Sequence, residues 1–149
     1  MLKFKLSTAA VLAALICFLG GTAVVRRQDA RLNRTLRSVA LRVIQVETLS
    51  RTRRQVYRLE FWNNRCLVEY YDQESGRWLR ERDIPFPKGV MTPAAGTRLF
   101  FSGGRLERFE GEVKRGRKSP YLLLEFRIPG TSKSRSMIFF QDGNWRILS

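Results

Sequence analysis

Side chains able to do acid–base, nucleophilic or metal chemistry are sparse here. The 149 residues contain no His and two Cys, so the commonest general base and metal ligand is missing. No G-x-S-x-G, C-x-x-C or phosphate-loop pattern occurs. Glu60, Glu69 and Glu81 alternate with apolar neighbours in predicted strands; they read as outward-facing charges paired with Arg58, Arg65 and Arg80, not as a catalytic carboxylate pair. Cys17 lies in an apolar run and Cys66 in a predicted strand, so no disulfide and no metal site is expected. The expectation is a protein without catalytic residues, metal or cofactor.

Charge is the more informative quantity. Lys and Arg number 28 against 13 Asp and Glu, a formal charge of +15. Such a balance favours contact with polyanions, anionic lipid or an acidic partner. Most of the charges are scattered, however, and a solvated basic surface is the simpler reading. Lys114, Arg115, Arg117 and Lys118 form the one dense basic cluster. It could bind phosphates, with an affinity that falls steeply with salt, but no aromatic residue interleaves it to stack bases. A solvated hairpin tip is the plainer interpretation, and nucleic acid is not expected as a partner. Tyr57, Phe61, Trp62, Tyr70, Tyr71 and Trp78 are read as core and cross-strand pairs, not as a binding face.

The elements that position these residues divide the chain into four parts. Residues 1–5 are a basic leader. Residues 6–25 are 20 uncharged positions, matching the roughly 30 Å hydrocarbon core of a bilayer at about 1.5 Å per helical residue. A cleavable signal core is usually shorter, about 7–15 residues, so a retained anchor is expected. Residues 26–54 contain no Gly or Pro, and the helix is expected to continue through them as an amphipathic stalk. Leu32, Leu36, Val39, Val43 and Val46 follow a 4-3-4-3 spacing, one apolar stripe. Its later turns suit packing on a sheet; the first, Arg26 to Leu36, suit another subunit's helix, and Leu32, Leu36, Val39 and Val43 are the candidate subunit-packing residues.

Residues 55–149 read as a β-rich head. Strands are predicted at Gln55–Trp62, Arg65–Tyr71, Arg77–Arg82, Thr97–Ser102, Arg105–Glu112, Tyr121–Ile128, Ser136–Gln141 and Asn144–Leu148, a meander of seven or so short strands on one helix. Asn63-Asn64 and Asp142-Gly143 are hairpin turn signals. Ile84–Val90, with two prolines, is expected to break the ladder and cross over. Val113–Pro120 reads as a basic loop. The middle of Tyr121–Ile128 is apolar enough for burial on both faces.

The layout resembles the H-class minor pseudopilins of type II secretion and the FimT-like minor pilins of type IV pili. The resemblance rests on the apolar N-terminal helix, its unbroken extension and the basic joint Arg51–Val56 before an alternating strand. Asp83–Val90, Leu99–Gly104 and the closing Met137–Leu148 resemble the family's crossing, strand-and-turn and last hairpin. It spans most of the chain through individually weak motifs. The family's prepilin-peptidase Gly and fifth-position Glu are absent from Lys5–Ala10, so a tip subunit, an assembly adaptor or a diverged anchored relative is implied. The resemblance implies an α+β, pilin-like fold and a non-enzymatic component of a secretion or pilus system. It also implies a single pass through the inner membrane, a periplasmic head, and partners among other pilins or pseudopilins along the N-terminal helix. The positive-inside rule points the other way, because five arginines (26, 27, 31, 34 and 37) follow the apolar run and only Lys3 and Lys5 precede it. Two alternatives therefore stand beside it: a membrane-anchored basic module binding nucleic acid or anionic lipid, and a secreted polyanion-binding β protein.

Overall fold

A computed structural model describes residues 8–92, 95–116 and 119–148; in the first turns of the helix, side chains are described only for Ile16, Cys17 and from Gly20 onward. One helix, α1 (Thr8–Thr52), runs for 45 residues, about 68 Å at 1.5 Å per residue. Nothing between Arg26 and Thr52 removes a backbone donor or adds glycine freedom, so the hydrogen-bond ladder has no reason to stop. It ends where the Arg53 N–H reaches the Leu49 carbonyl at 2.9 Å and Arg54 takes a left-handed conformation, φ 51°, a capping position more often filled by Gly.

Among the described residues nine strands follow: β1 (Tyr57–Trp62), β2 (Arg65–Asp72), β3 (Arg77–Pro85), β4 (Thr97–Ser102), β5 (Arg105–Glu110), β6 (Val113–Arg115), β7 (Pro120–Arg127), β8 (Ser134–Phe140) and β9 (Trp145–Leu148). They form two antiparallel sheets and not one, in the orders β3-β2-β1-β4-β5 and β6-β7-β8-β9. The helix packs on β1, β4 and β5 of the first sheet and on β7 and β8 of the second. Its inward residues Leu32, Leu36, Val39, Val43, Val46 and Ser50 are all buried. They join Tyr57, Leu59 and Phe61 from β1, Leu99 and Phe101 from β4, and Leu122, Leu124, Phe126, Met137 and Phe139 from the second sheet in a single core. The segment expected as a stalk is thus the centre of the head. Among the described residues no helix is long and apolar enough to cross a membrane; most of the expected span at 6–25, and the leader at 1–5, lie outside the described side chains.

Three local expectations change. β3 continues through Ile84 to Pro85, because it is an edge strand, where a missing N–H breaks no second ladder. The crossing therefore starts at Phe86, which is buried and meets Phe126 edge-on at 5.4 Å. Part of the expected basic loop is a strand, since Val113–Arg115 pairs with Pro120–Leu122. β7 alternates buried and half-buried residues, because the helix covers only one face of the second sheet. A Met91–Arg127 bridge, with N–H···O distances of 2.9 and 2.8 Å, ties the crossing to that sheet.

Truncating the stripe should be costly and truncating the outward helix face should not. Leu36→Ala should lower unfolding free energy by about 2–5 kcal/mol, and Leu41→Ala, 65% exposed, should change it by under about 0.5 kcal/mol. Urea titration of both variants checks this.

Candidate functional site: the helix exit and the outer sheet face

Two surfaces stand out once the core is assigned. The first is the helix outside its inward stripe. Leu32, Leu36, Val39 and Val43, expected to meet another subunit, are 0–3% exposed within this chain, so their surface is already consumed by its own sheets. Among the described side chains of the helix, the large apolar ones that stay open are Ile16, Val24, Val25, Leu41 and Ile44. Cys17, Gly21, Thr22, Val25 and Arg26 line a shallow groove of about 490 Å³ just beyond the head. A side chain added at Gly20 or Gly21 would meet nothing within 4 Å, so this stretch stands clear of the rest of the fold.

Where the helix leaves the sheets, polar contacts hold it from two flanks. The Lys133 ammonium donates to both Asp29 carboxylate oxygens at 2.9 Å, with an Arg135 guanidinium nitrogen 3.8 Å from the same carboxylate. On the other flank the Arg31 guanidinium donates to the Lys88 carbonyl at 3.3 Å. At the far end the Ser50 hydroxyl accepts from the Gly104 N–H at 3.0 Å and donates to the Glu47 carbonyl at 3.0 Å.

The second surface is the outer face of the five-stranded sheet. The two-residue Asn63-Asn64 turn sets Arg58 opposite Glu69, and their side chains pair at 2.6 Å. The Arg58 guanidinium also lies 4.4 Å over Trp78, which meets Tyr71 at 5.5 Å and Phe100 at 5.8 Å, both edge-on. Arg108 covers Phe100 at 4.0 Å. Arg98 pairs with Glu60 at 2.8 Å and with Glu110 at 3.6 Å. Glu60 and Glu69 are therefore not solvated outward charges: they are 5% and 8% exposed beneath arginines. Glu81 pairs with Arg53, and Arg65 with Asp83, so the expected pairings with Arg65 and Arg80 are replaced. The hydrogen bond that Arg98 donates to the Glu60 carboxylate holds its guanidinium above the ordinary range.

The aromatic residues divide by sheet face. Tyr57 and Phe61 are core, Tyr71 and Trp78 form an outer-face pair, and Trp62 is exposed. Lys114 and Arg115 are exposed on β6, whereas Arg117 and Lys118 lie outside the described residues. Cys17 is an exposed thiol and Cys66 a buried one; burial pushes the Cys66 thiol well above its ordinary value. Among the described residues no group of three His, Cys, Asp or Glu side chains could hold a metal ion. The arginine–aromatic face was not anticipated, although the two-residue turn fixes the Arg58–Glu69 register. The Asp29–Lys133 pair spans 104 residues and leaves no trace in local pattern. No family model, curated protein or solved structure matches the chain.

Two electrostatic outcomes follow. Arg98→Ala should destabilise by about 1–3 kcal/mol by stranding a buried carboxylate, and Glu60→Gln in the same chain should restore part of that loss; denaturant titration of the single and double variants measures it. Glu47 has its carboxyl raised by burial, partly opposed by a hydrogen bond from Trp145 and by Arg51. A raised carboxyl favours the fold when protonated, and that contribution fades as pH climbs through its folded value. Glu47→Gln should therefore stabilise at pH 7, by under about 1 kcal/mol at this half-exposed site, and the difference should vanish near pH 4; thermal unfolding at the two pH values checks it.

Proposed function

We propose that the chain is a non-enzymatic, pilin-like structural subunit of a secretion or pilus assembly system. In this reading residues 6–25 anchor it in the inner membrane, the head faces the periplasm, and other pilins or pseudopilins pack along the helix. The observation that carries it is the division of labour within α1. The same unbroken helix is the central core element of the head from Leu32 to Ser50 and a clear-standing rod with open apolar side chains before Asp29.

A helix built this way rigidly couples whatever holds its first half to the position of the head. The head offers sheets and loops, not a convergent set of reactive groups, which suits a part whose task is to occupy a place and present a surface. With Leu32, Leu36, Val39 and Val43 committed to the core, neighbour contacts fall to Ile16, Val24, Val25, Leu41 and Ile44. The flat stretch at Gly20-Gly21 allows a second helix to approach closely.

Topology is the test. An alkaline phosphatase fused after Ser149 should be active, and a reporter that works only in the cytoplasm should be silent at the same place. The reverse result would overturn this reading and favour a membrane-tethered basic module with its head in the cytoplasm, the orientation that the five arginines after the apolar run favour by the positive-inside rule.

A further inference from the structure

Asp29 is the one acid before Glu47, whereas six arginines fall in the same span after Val25. Successive helical residues turn by about 100°, which places Arg26, Arg27 and Arg34 on the side facing away from the buried stripe; all three are exposed. Arg31 falls on one flank, where it brings the exposed Lys88 beside the helix. Asp29 falls on the opposite flank, where it brings Lys133 and Arg135. The outward arginines, with Arg31 on one flank and Lys133 and Arg135 on the other, therefore form a basic band over the outward half of the helix where it emerges from the sheets. Along the axis, Arg26 to Arg34 covers about 12 Å, close to the roughly 8 Å screening length at physiological salt.

We infer that this basic band is a docking collar for an anionic phospholipid surface, seating the head against the bilayer that the helix enters. The inference rests on the anchored reading above. The shape of the charge selects the partner. A basic band beside an uncharged helical run is complemented by an anionic surface that the run enters, and residues 6–25 supply that run. A nucleic acid would find no stacking platform here, since no aromatic side chain lies among Arg26, Arg27, Arg31 and Arg34 in the sequence. Asp29 holds Lys133 and Arg135 in place, and the three together leave one net positive charge on that flank. Each basic group near an anionic leaflet strengthens association about five-fold, an effect that fades beyond the screening length.

Flotation of the full chain with lipid vesicles tests this. Partition onto vesicles containing phosphatidylglycerol should exceed partition onto pure phosphatidylcholine, and high salt should erase the excess. Arg26→Gln, Arg27→Gln and Arg34→Gln together should reduce the excess on the order of 100-fold. Lys114→Gln with Arg115→Gln, which removes charge from β6, should leave it nearly unchanged. Thermal unfolding of each variant confirms an intact head, since none of the five side chains is in the core. Equal partition onto both vesicle types would overturn the collar while leaving the anchor standing, and partition onto neither would overturn both. Equal losses in the two variant sets would overturn it in favour of net charge alone. Displacement from anionic vesicles by a DNA duplex at charge-equivalent concentration would overturn it in favour of nucleic acid.

Discussion

Everything in the head depends on one contact: the inward stripe of α1, from Leu32 to Ser50, against the facing sides of two sheets. Neither sheet alone is covered on that face. Four strands or five, each short and twisted, bury little against one another, and the helix supplies the missing apolar layer for both. The cost of this arrangement is that the stripe cannot also serve a partner. Thr35 and Ser50 sit among these residues without penalty because each hydroxyl donates to a carbonyl one turn back, Arg31 at 2.9 Å and Glu47 at 3.0 Å.

The polar interactions are arranged around that layer and mostly seal its margins. Asp29 with Lys133 closes the end where the helix leaves the sheets, and Ser50 with the Gly104 N–H closes the other. On the outer sheet face Arg58, Arg98 and Arg108 lie over aromatic rings and carboxylates. Their aliphatic stems cover apolar surface while their guanidinium groups neutralise Glu60, Glu69 and Glu110. These arginines are matched by carboxylates, so the basic excess lies elsewhere, among exposed groups such as Arg26, Arg27 and Arg34 at the helix exit, Lys114 and Arg115 on β6, and Arg77 on the β3 edge. The exposed Arg77, Arg80 and Arg82 on β3 keep that edge from pairing with another chain.

Local pattern reveals a good part of this. The 4-3-4-3 spacing from Leu32 to Val46 identifies the buried face of the helix, because burial on one side of a helix imposes that period. Alternation in Tyr57–Phe61 and the turns at Asn63-Asn64 and Asp142-Gly143 identify hairpins, because both are short-range constraints. The split into two sheets is not legible, since it depends on β1 pairing with β4 across the intervening hairpin and crossing segment. Pro85 in β3 looks like a strand breaker until the strand is known to lie at an edge. Glu60 looks solvated until Arg98, 38 residues away, is brought over it. The candidate surfaces suffer most: the open helix residues are those left over once the sheets have taken their share, and that subtraction requires the tertiary structure.

The way α1 runs through the head also fixes how the molecule carries load. A pull along the helix acts parallel to its buried stripe, so the side chains from Leu32 to Ser50 resist in shear, all at once. The Asp29–Lys133 and Arg31–Lys88 contacts take the first strain at the exit point. Peeling the helix sideways would instead break those layers one turn at a time. The head is therefore mechanically strong along the axis of its own central helix and comparatively weak across it.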